Sequence, residues 1–600
     1  MKYANYKNVE LTDGFWKAKQ ALNSRVTIEE VWKRFYESGR IAAFDFSWKE
    51  GMEKKPNVFW DSDVAKWIEG ASYIIAKNGS KTLIARIESI IDKIEEHQFS
   101  DGYFNTYYGV CEPENRFTVR NNHELYCAGH MFEAATAYFE APGRDRFLKC
   151  MEKYADCIEK TFAEDKSAGF ITPGHPEIEL ALIRMYNTTK KIKYLNLAEF
   201  FIENRGKHGE NLTENTKPPY AQDDLPAREL HEALGHAVRA CYFYKAMADM
   251  AYLKKDSGLF SACKNIYEDI TNKKMYITGG IGSASVGETF TLPYDLPNAS
   301  AYCETCAAIS MAMFCRSMAQ NNNCSSYADI IEREIYNGIL SGISLDGKSF
   351  FYENPLEIDL KNYIRNTSTI NNLHYPNPRR QKLFECSCCP PNISRFLASI
   401  GEYIYAAEGD TVFVNQFADS TLSLGKINVV QKTDYPKSGI VNIKAKGVKC
   451  IMVRIPSWCE NYTVNCPYSV SMGYIKIEKP VSFTVDFKME PKIIYSNPEI
   501  YSNVGKAAVS LGPIIYCSEG IDNTENLHSL YINRHGEFNV NFSEDYGLNT
   551  VIADGLRITD SQSLYSSTKP QFVKTKIKMI PYSCFANREK TNMLVWHNIC

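Results

Sequence analysis

The sequence lacks a strong excess of charge of either sign, because its formal net charge is only −3 over 600 residues. There is therefore no electrostatic case for nucleic acid or an anionic membrane as a partner. No run of about eighteen uninterrupted apolar residues is present, so no transmembrane helix is expected. The N-terminus also lacks a basic stretch followed by an apolar one, so we expect no secretory signal and a cytoplasmic location.

Histidine is scarce, with eleven residues, and the sequence motifs of several enzyme classes are missing. There is no HExxH, so a metalloprotease of that kind is disfavoured. There is no GxSxG and no GxGxxG that opens a strand–helix unit. The sequence therefore gives no support to α/β-hydrolase chemistry or to a Rossmann dinucleotide site.

Cysteine, by contrast, is abundant, and its count of nineteen is odd. In a long chain without a secretory signal, a disulfide framework is less expected than metal binding or catalysis. Most of these thiols are expected to be small buried apolar groups. Only the clustered cysteines call for a chemical explanation.

The densest cluster is Glu385-Cys386-Ser387-Cys388-Cys389, which Pro390 and Pro391 follow directly. Adjacent side chains of an extended segment point to opposite sides, so Cys388 and Cys389 reach one metal only if the backbone turns. The two prolines restrict the backbone and could hold such a turn. The alternative, a chance cluster of buried thiols, is less favoured at this density.

A second cluster is Tyr302-Cys303-Glu304-Thr305-Cys306, just before a predicted helix. Glu304 and Cys306 would converge at an irregular helix start. With the thiolates of Cys388 and Cys389 they would complete a four-coordinate Zn²⁺ site. Neither cluster has the CxxC spacing of structural zinc ribbons, which favours a catalytic role over a structural one.

The other candidate residues lie outside these two clusters and are isolated from one another in the sequence. Glu288 lies in a Gly/Ser-rich loop, where a carboxylate is most often solvated. His175 lies in a loop bounded by Pro and Gly, His236 lies within a predicted helix, and His123 and His130 are two helical turns apart. Each histidine taken alone is more simply read as a hydrogen-bonded core residue.

The hydrophobic period divides the chain in two. Helical spacing predicts helices over 61–76, 123–137, 177–186, 230–250 and 307–318, in a mainly helical region that ends near residue 407. From about residue 411 apolar residues alternate, as in Val441, Ile443 and Ala445, and in Val481, Phe483, Val485 and Phe487. This pattern predicts a helical toroid or solenoid followed by one or two β-sandwich modules.

The motifs together resemble glycoside hydrolase family 127, the β-L-arabinofuranosidases and their close relatives. The resemblance extends over nearly the whole chain, and its specific segments are GETFTLPYDLPNASAYCETCA (287–307) and ECSCCPPN (385–392). Supporting segments are FWDSDVAKWIEG (59–70), HELYCAGHMFEAATAY (123–138), GHPEIELALIRMY (174–186), GHAVRACYFYKA (235–246) and FYENPLE (351–357).

This resemblance implies a multidomain α+β fold, with an (α/α)6 helical toroid catalytic domain followed by one or more β-sandwich domains. We expect a 1–10 segment that could join the β-sandwich as a strand, a toroid over 11–408 and β-sandwich domains over 409–600. It also implies site residues. Glu304, Cys306, Cys388 and Cys389 match the zinc ligands, Cys388 the nucleophile, Glu288 the acid/base, and His123, His175, His236 and Tyr352 the sugar pocket.

The implied function is a retaining exo-glycosidase that releases L-arabinose from β-L-arabinofuranosides. Its Zn²⁺-bound Cys388 thiolate would attack the anomeric carbon, while Glu288 protonates the leaving oxygen. Three alternatives stay open: a related glycosidase for another sugar, a hydrolase that uses zinc-bound water, and a carbohydrate-binding protein with structural zinc. The expected partner is a small-molecule or oligosaccharide substrate, and a homodimer stays open.

Overall fold

The structure, a computed structural model, describes residues 1–207, 219–364, 374–559 and 563–600. Helices dominate up to residue 398 and strands dominate from residue 405 onward. The predicted multidomain α+β order, helical first and then strand-rich, is confirmed. No helix in the described ranges is long and apolar enough to span a bilayer.

The helices of the described residues are α1 (Gly14–Leu22), α2 (Ile28–Ser38), α3 (Trp60–Asn78), α4 (Lys81–His97), α5 (Glu124–Glu140), α6 (Arg146–Glu159), α7 (Ile178–Thr189), α8 (Ile192–Asn204), α9 (Ala237–Lys254), α10 (Ser257–Asp269), α11 (Thr305–Asn321), α12 (Ser325–Arg333), α13 (Lys361–Ile364) and α14 (Cys389–Ala398).

Six of these helices contact one another in a closed ring. In order around the ring they are α3, α5, α7, α9, α11 and α14, and α14 packs back against α3. The helices α2, α4, α6, α8, α10 and α12 each pack on a ring member from outside. This double layer is the arrangement that an (α/α)6 toroid requires.

The sequence of a ring helix differs from that of an outer helix. In α3 every residue from Trp60 to Ile75 is buried, including Asp61, Asp63, Lys66 and Glu69. A helix that is buried on all sides belongs to the interior, whereas an outer helix needs only one apolar stripe. The interior of the ring therefore holds ionisable groups on regular, well-supported elements.

The predicted helix over 230–250 begins later than expected, at Ala237 in α9. Gly235 has a φ of 72°, which no helical residue adopts, and His236 is extended and caps the helix. The periodicity of Leu230 and Ala233 continues in a segment that is buried without being helical. This late start leaves His236 at the N-terminal end of α9 rather than inside a helix.

The strands of the described residues are β1 (Lys2–Tyr3), β2 (Val9–Leu11), β3 (Glu357–Ile358), β4 (Tyr405–Glu408), β5 (Thr411–Val414), β6 (Ser420–Leu424), β7 (Ile427–Thr433), β8 (Ile440–Lys446), β9 (Cys450–Arg454), β10 (Tyr462–Val464), β11 (Ser469–Ser471), β12 (Tyr474–Glu478), β13 (Ser482–Phe487), β14 (Pro491–Ile494), β15 (Lys506–Leu511), β16 (Ile514–Glu519), β17 (Leu530–Ile532), β18 (Phe538–Ser543), β19 (Leu548–Ile558), β20 (Phe572–Pro581), β21 (Met593–Leu594) and β22 (His597–Ile599).

These strands form three sheets. Two six-stranded sheets have the orders β1-β4-β5-β9-β12-β11 and β10-β13-β8-β7-β6-β2, and a ten-stranded sheet contains β14 to β22 together with β3. The N-terminal strands β1 and β2 pair with β4 and β6 respectively, so the start of the chain adds one strand to each of the first two sheets. The division of domains at residues 10 and 408 stays a prediction.

The alternating pattern correctly identifies the inward face of these strands, with one exception. Val441 and Ile443 of β8 are buried, as are Phe483, Val485 and Phe487 of β13. Val481, which we expected on the same inward face, lies just before β13 and is 77% exposed. Alternation alone does not show where a strand begins, because side chains point regularly to opposite faces only within the strand itself.

A buried arginine joins the helical region to the first sheet. Arg454 of β9 is fully buried, its Nη2 lies 2.5 Å from Glu332 Oε1, and its Nη1 lies 2.5 Å from Asp329 Oδ1 of α12. Its Nε donates to the carbonyl of Asn415 at 2.6 Å. Both partners of this ion pair lose their hydration, so the charges depend on one another.

We expect Arg454→Met to lower the free energy of unfolding by about 3–5 kcal/mol, because it leaves Glu332 and Asp329 buried without their cation. Urea denaturation measures the loss. Lys449→Met is the matched control, since Lys449 is 82% exposed where it pairs with Asp410, and it should cost less than about 1 kcal/mol. Equal losses in the two variants would contradict the proposed role of Arg454.

Candidate active site

One cavity of about 300 Å³ opens at the ring of helices and contains nearly all the residues singled out from the sequence. This volume suits a small ligand such as a single sugar. The lining residues are Phe59, Ser62, Asp63, His123, Tyr126, His175, Tyr220, His236, Val238, Arg239, Ser285, Gly287, Glu288, Glu304, Cys306, Tyr352, Cys386 and Cys388.

Two helix N-termini deliver the four predicted metal ligands. Glu304 is the N-cap residue of α11 and Cys306 lies in its first turn, while Cys388 is the N-cap residue of α14 and Cys389 its first residue. Cys388 has a φ of −66° and a ψ of −37°, so the backbone turns there, as bonding by both cysteines requires. Helix N-termini favour negative charge, which suits thiolates and a carboxylate.

The four donor groups form a compact cluster. The Sγ atom of Cys306 lies 3.6 Å from that of Cys388 and 3.3 Å from that of Cys389, and the last two are 3.8 Å apart. Glu304 Oε1 lies 3.5 Å from Cys388 Sγ and 3.7 Å from Cys389 Sγ. These separations are too long for disulfides, whose sulfurs are about 2.05 Å apart, and all nineteen cysteines are free.

The same separations fit a tetrahedral metal centre. Bonds of about 2.3 Å from a metal to sulfur place neighbouring donors about 3.8 Å apart. The five separations given above run from 3.3 to 3.8 Å, and all four donor atoms lie within 4.8 Å of one another. Within the described ranges, Glu304 Oε2 has no hydrogen-bond partner although it is buried. These residues therefore fit a bound metal ion.

Without a cation, burial and mutual contact shift the pKa values of Glu304, Cys389 and Cys306 in different directions. Burial, and next the neighbouring thiol of Cys388, raises the pKa of Glu304 well above its ordinary value. Burial and the bond from Cys306 raise the pKa of Cys389 in the same way. For Cys306, burial acts upward, but hydrogen bonds with Cys388 and Cys389 outweigh it and lower the pKa to about 7.

Glu288 lines the same cavity, with a carboxylate oxygen within 4.8 Å of one of Glu304, and it is held by two hydrogen bonds. His236 Nδ1 accepts from the Val238 backbone N–H at 3.2 Å, so the imidazole proton is on Nε2, which lies 2.7 Å from Glu288 Oε2. Tyr302 donates its hydroxyl to Oε1 at 2.8 Å. Burial would raise the pKa of Glu288, but the bonds from His236 and Tyr302, with the nearby charge of Arg239, outweigh it and hold the pKa below its ordinary value.

The other predicted pocket residues line the cavity as well. His123 and His175 have ring centroids 5.9 Å apart, and those of His175 and His236 are 5.6 Å apart. Burial lowers the pKa of all three imidazoles, to about 3 for His123. These neutral rings can exchange hydrogen bonds with hydroxyl groups without adding charge. His130, by contrast, lies below the cavity, 3.0 Å from Glu177.

Two groups contact the position of Cys388. The Cys388 thiol hydrogen-bonds to Tyr352 Oη at 3.4 Å. Cys386 also lines the cavity, but it is exposed and is absent from the four-donor cluster. Cys386, the first cysteine of the motif, therefore lies beside Cys388 but outside the four donors.

Sequence reasoning missed several lining residues, above all Arg239 and Tyr220. Arg239 follows His236 by one helical turn in α9, so its spacing from that histidine was an available signal. Tyr220 precedes Gly235 and His236 by a stretch that contains no α-helix, and a backbone hydrogen bond from His236 N to Tyr220 O links them. No local pattern in the sequence predicts such a bond.

One sequence motif, that of a phosphate-binding loop, does not form its usual structure in this fold. Gly342–Ser349 (GISLDGKS) matches the phosphate-loop pattern GxxxxGK[ST]. That pattern binds phosphate only where a strand leads through it into a helix. Here it forms a tight turn, in which Ser349 O accepts from Ser344 N and Phe350 pairs with Gln381, and no helix follows. The structure, not the sequence, excludes phosphate-loop chemistry.

Family models match almost the whole chain. A model of the β-L-arabinofuranosidase GH127 catalytic domain matches residues 8–402. The GH127 middle domain matches residues 411–479 and the glycoside hydrolase family 127 C-terminal domain matches residues 491–598. These matches leave out little more than the segments that join one domain to the next.

Individual relatives agree with these matches. The chain is 34% identical over 592 residues to a non-reducing end β-L-arabinofuranosidase from Bifidobacterium longum subsp. longum, covering 90% of this chain and 89% of that protein. The crystal structure of a GH127 β-L-arabinofuranosidase from Geobacillus stearothermophilus T6 is 37% identical, with a TM-score of 0.92 over 99% of this chain and 100% of that one.

A second solved GH127 β-arabinofuranosidase is 33% identical and has a TM-score of 0.90, covering 100% of this chain and 98% of the other. Sequence and fold thus agree along the full length. The chain belongs to glycoside hydrolase family 127 and is a glycoside hydrolase.

Proposed function

We propose that this protein is a retaining, zinc-dependent exo-β-L-arabinofuranosidase in which Cys388 is the nucleophile and Glu288 the acid/base. The observation that supports it most directly is the position of one buried Cys₃Glu cluster and one hydrogen-bonded carboxylate in the wall of the same sugar-sized cavity. The choice of L-arabinofuranose as the sugar rests on the relatives named above, since two of them are β-L-arabinofuranosidases.

Glu304, Cys306, Cys388 and Cys389 would hold the metal. Three thiolates and a carboxylate in a tetrahedral arrangement are donors that suit Zn²⁺ better than Mg²⁺ or Ca²⁺. When bound, Zn²⁺ would keep the thiols deprotonated at neutral pH. Four protein donors already face one another, which argues against a hydrolase that needs an open metal position for water.

Of the four donors, Cys388 is the best placed to meet a substrate. It is 8% exposed, whereas Cys306, Cys389 and Glu304 are between 1% and 3% exposed. Cys389 does not line the cavity at all. In the first step, Cys388 Sγ would form a bond to the anomeric carbon while the bond from that carbon to the leaving oxygen breaks.

Glu288 would move the proton in both steps. It gives a proton to the leaving oxygen in the first step, and in the second it takes one from the water that displaces Cys388 Sγ. Two displacements at one carbon restore the original configuration, so the sugar is released with retention. His123, His175, His236 and Tyr352 would hydrogen-bond the sugar hydroxyls.

The low pKa of Glu288 describes the cavity without sugar, where His236 Nε2 and Tyr302 both donate to it. That carboxylate is ready to accept a proton, as the second step requires. To donate one in the first step, it must lose part of this stabilisation. A sugar hydroxyl that takes the His236 N–H bond removes one donor and excludes water, and both changes raise the pKa of Glu288.

A substrate panel tests the proposed function. We expect the protein to hydrolyse p-nitrophenyl β-L-arabinofuranoside at least about tenfold faster, in kcat/KM, than the α-L-arabinofuranoside or other pentosides, since a site built around one sugar's hydroxyls rejects those it cannot pair. Metal analysis of the same sample should give one zinc per chain. Faster hydrolysis of another glycoside would contradict the proposal that β-L-arabinofuranose is the sugar.

The nucleophile is tested by Cys388→Ser. We expect kcat to fall by at least about 10³-fold, because a serine hydroxyl in this position is a far weaker nucleophile than a thiolate. Steady-state kinetics and a melting curve separate loss of turnover from loss of fold. Cys386→Ser is the matched control from the same motif, and its kcat should stay within about tenfold of the parent. Substantial turnover by the Cys388 variant would exclude it as nucleophile.

The acid/base is tested by Glu288→Gln and by the pH profile. Loss of this proton transfer should lower kcat by about 10²–10⁴-fold for an alkyl or sugar leaving group, and less for p-nitrophenol in the first step. Glu353→Gln is the control, a neighbouring carboxylate that pairs with His374 instead. An equal effect in both variants would contradict the assignment.

The alkaline limb of the profile carries a further prediction. A general acid works only when protonated, so the rate falls as pH rises through its pKa. Because the pKa of Glu288 is low in the free enzyme and rises in the complex, the limb of kcat should lie at higher pH than the limb of kcat/KM. Coincident limbs would contradict the proposed effect of the sugar on Glu288.

A further inference from the structure

Two irregular segments form one wall of the cavity. The segment 172–176 contains His175 and leads toward α7, and the segment 220–223 contains Tyr220. Neither belongs to a helix or a strand. Irregular backbone places a side chain accurately only when its carbonyl and N–H groups are bound by other groups.

Three arginines bind three consecutive carbonyls of the first segment. Arg120 Nε donates to Thr172 O at 2.9 Å, Arg205 Nη2 donates to Pro173 O at 2.9 Å, and Arg239 Nη1 donates to Gly174 O at 2.8 Å. The arginines come from three separate places, namely the segment before α5, the end of α8 and the first turn of α9.

The same three arginines also contact the second segment, in reverse order. Arg120 Nη1 lies 2.6 Å from Asp223 Oδ2, Arg205 Nη1 donates to Ala221 O at 2.7 Å, and the Arg239 guanidinium lies 4.7 Å from the centre of the Tyr220 ring. Each guanidinium therefore bridges the two segments. We call Arg120, Arg205 and Arg239 the arginine clamp.

The three guanidinium groups of the clamp are buried, so their loss of hydration is unfavourable unless they form hydrogen bonds within the protein. The side chains of Arg120 and Arg205 are 7% and 0% exposed, and Arg239 is 6% exposed. Arg205 is also paired with Glu179, at 3.1 Å. A planar guanidinium offers several N–H donors at fixed angles and can bind two carbonyls together, which a lysine ammonium on a flexible stem does poorly.

The clamp also restricts the orientation of the His175 side chain. His175 directly follows Gly174, and its Nδ1 lies 2.9 Å from the carbonyl of Pro176. A carbonyl only accepts, so Nδ1 carries the proton and Nε2 is left as an acceptor. Because Gly174 O is fixed by Arg239, the ring of His175 has little freedom to turn away from the cavity.

We propose that Arg120, Arg205 and Arg239 are positioning residues that hold His175 and Tyr220 in the wall of the sugar pocket. The effect on turnover rests on the proposed function, whereas the effect on the two segments does not. Arg205 is the best residue to test, because it does not line the cavity and can act only through the segments it binds.

The test compares Arg205→Lys, Arg205→Leu combined with Glu179→Gln, and Glu179→Gln alone as the control. The double variant removes the guanidinium without leaving a charged carboxylate buried alone, and the lysine variant keeps the charge and is the milder change. We expect kcat/KM to fall by about 10–100-fold in both arginine variants, mainly through KM, because a small displacement of a binding group has effects of this size. The control should stay within about threefold.

Two further readouts separate positioning from a general loss of stability. Amide hydrogen exchange should become faster in 170–176 and 219–224 but not in the peptides that contain Glu304 or Cys388. Zinc content should stay equal to that of the parent protein. Unchanged exchange in the two segments, or faster exchange with unchanged kcat/KM, would overturn the proposal. If the parent protein hydrolyses no arabinofuranoside, the proposed function fails, and hydrogen exchange alone decides whether the clamp holds the segments.

Discussion

The mutual repulsion of four acidic donors in one buried space is the constraint on which the site depends. Glu304, Cys306, Cys388 and Cys389 lie within 4.8 Å of one another and are almost fully buried. Two helix N-termini lower the cost of negative charge there but do not cancel it. A divalent cation would offset two of the four negative charges, and the same attraction would keep a thiolate deprotonated at neutral pH. Binding of metal and readiness of the nucleophile are therefore one property in this account.

The fold brings these donors together from distant parts of the chain. The helices α11 and α14 are neighbours in the closed ring, although more than eighty residues separate Cys306 from Cys388. The part of the wall that carries His175, Tyr220 and Glu288 is largely irregular, and we propose that the arginine clamp and the bond between His236 and Glu288 fix it. Helix ends thus position the four donor groups, whereas in our proposal buried guanidinium groups hold the part of the wall that would face the sugar.

Much of this site could be predicted from the sequence because its chemistry is concentrated in short motifs. Three cysteines in four residues, and a Glu and a Cys two apart before a helix, identify the cluster without knowledge of the fold. Arg205 and Tyr220 could not be found in this way, since their partners are backbone carbonyls, which every residue carries. Helix ends were also predicted less well, because Gly235 prevents α9 from beginning earlier although the helical spacing of apolar residues extends before it. Local patterns record side-chain chemistry, but they do not record which distant carbonyl a side chain binds.

The central claim is that Cys388, rather than a carboxylate, bonds to the sugar. The most direct measurement is rapid-quench mass spectrometry of Glu288→Gln with p-nitrophenyl β-L-arabinofuranoside, whose good leaving group allows the first step while the second is slow. The account predicts a mass increase of one anhydropentosyl group, located by peptide sequencing on Cys388. An adduct on a carboxylate, or release of an inverted sugar with no adduct, would contradict it.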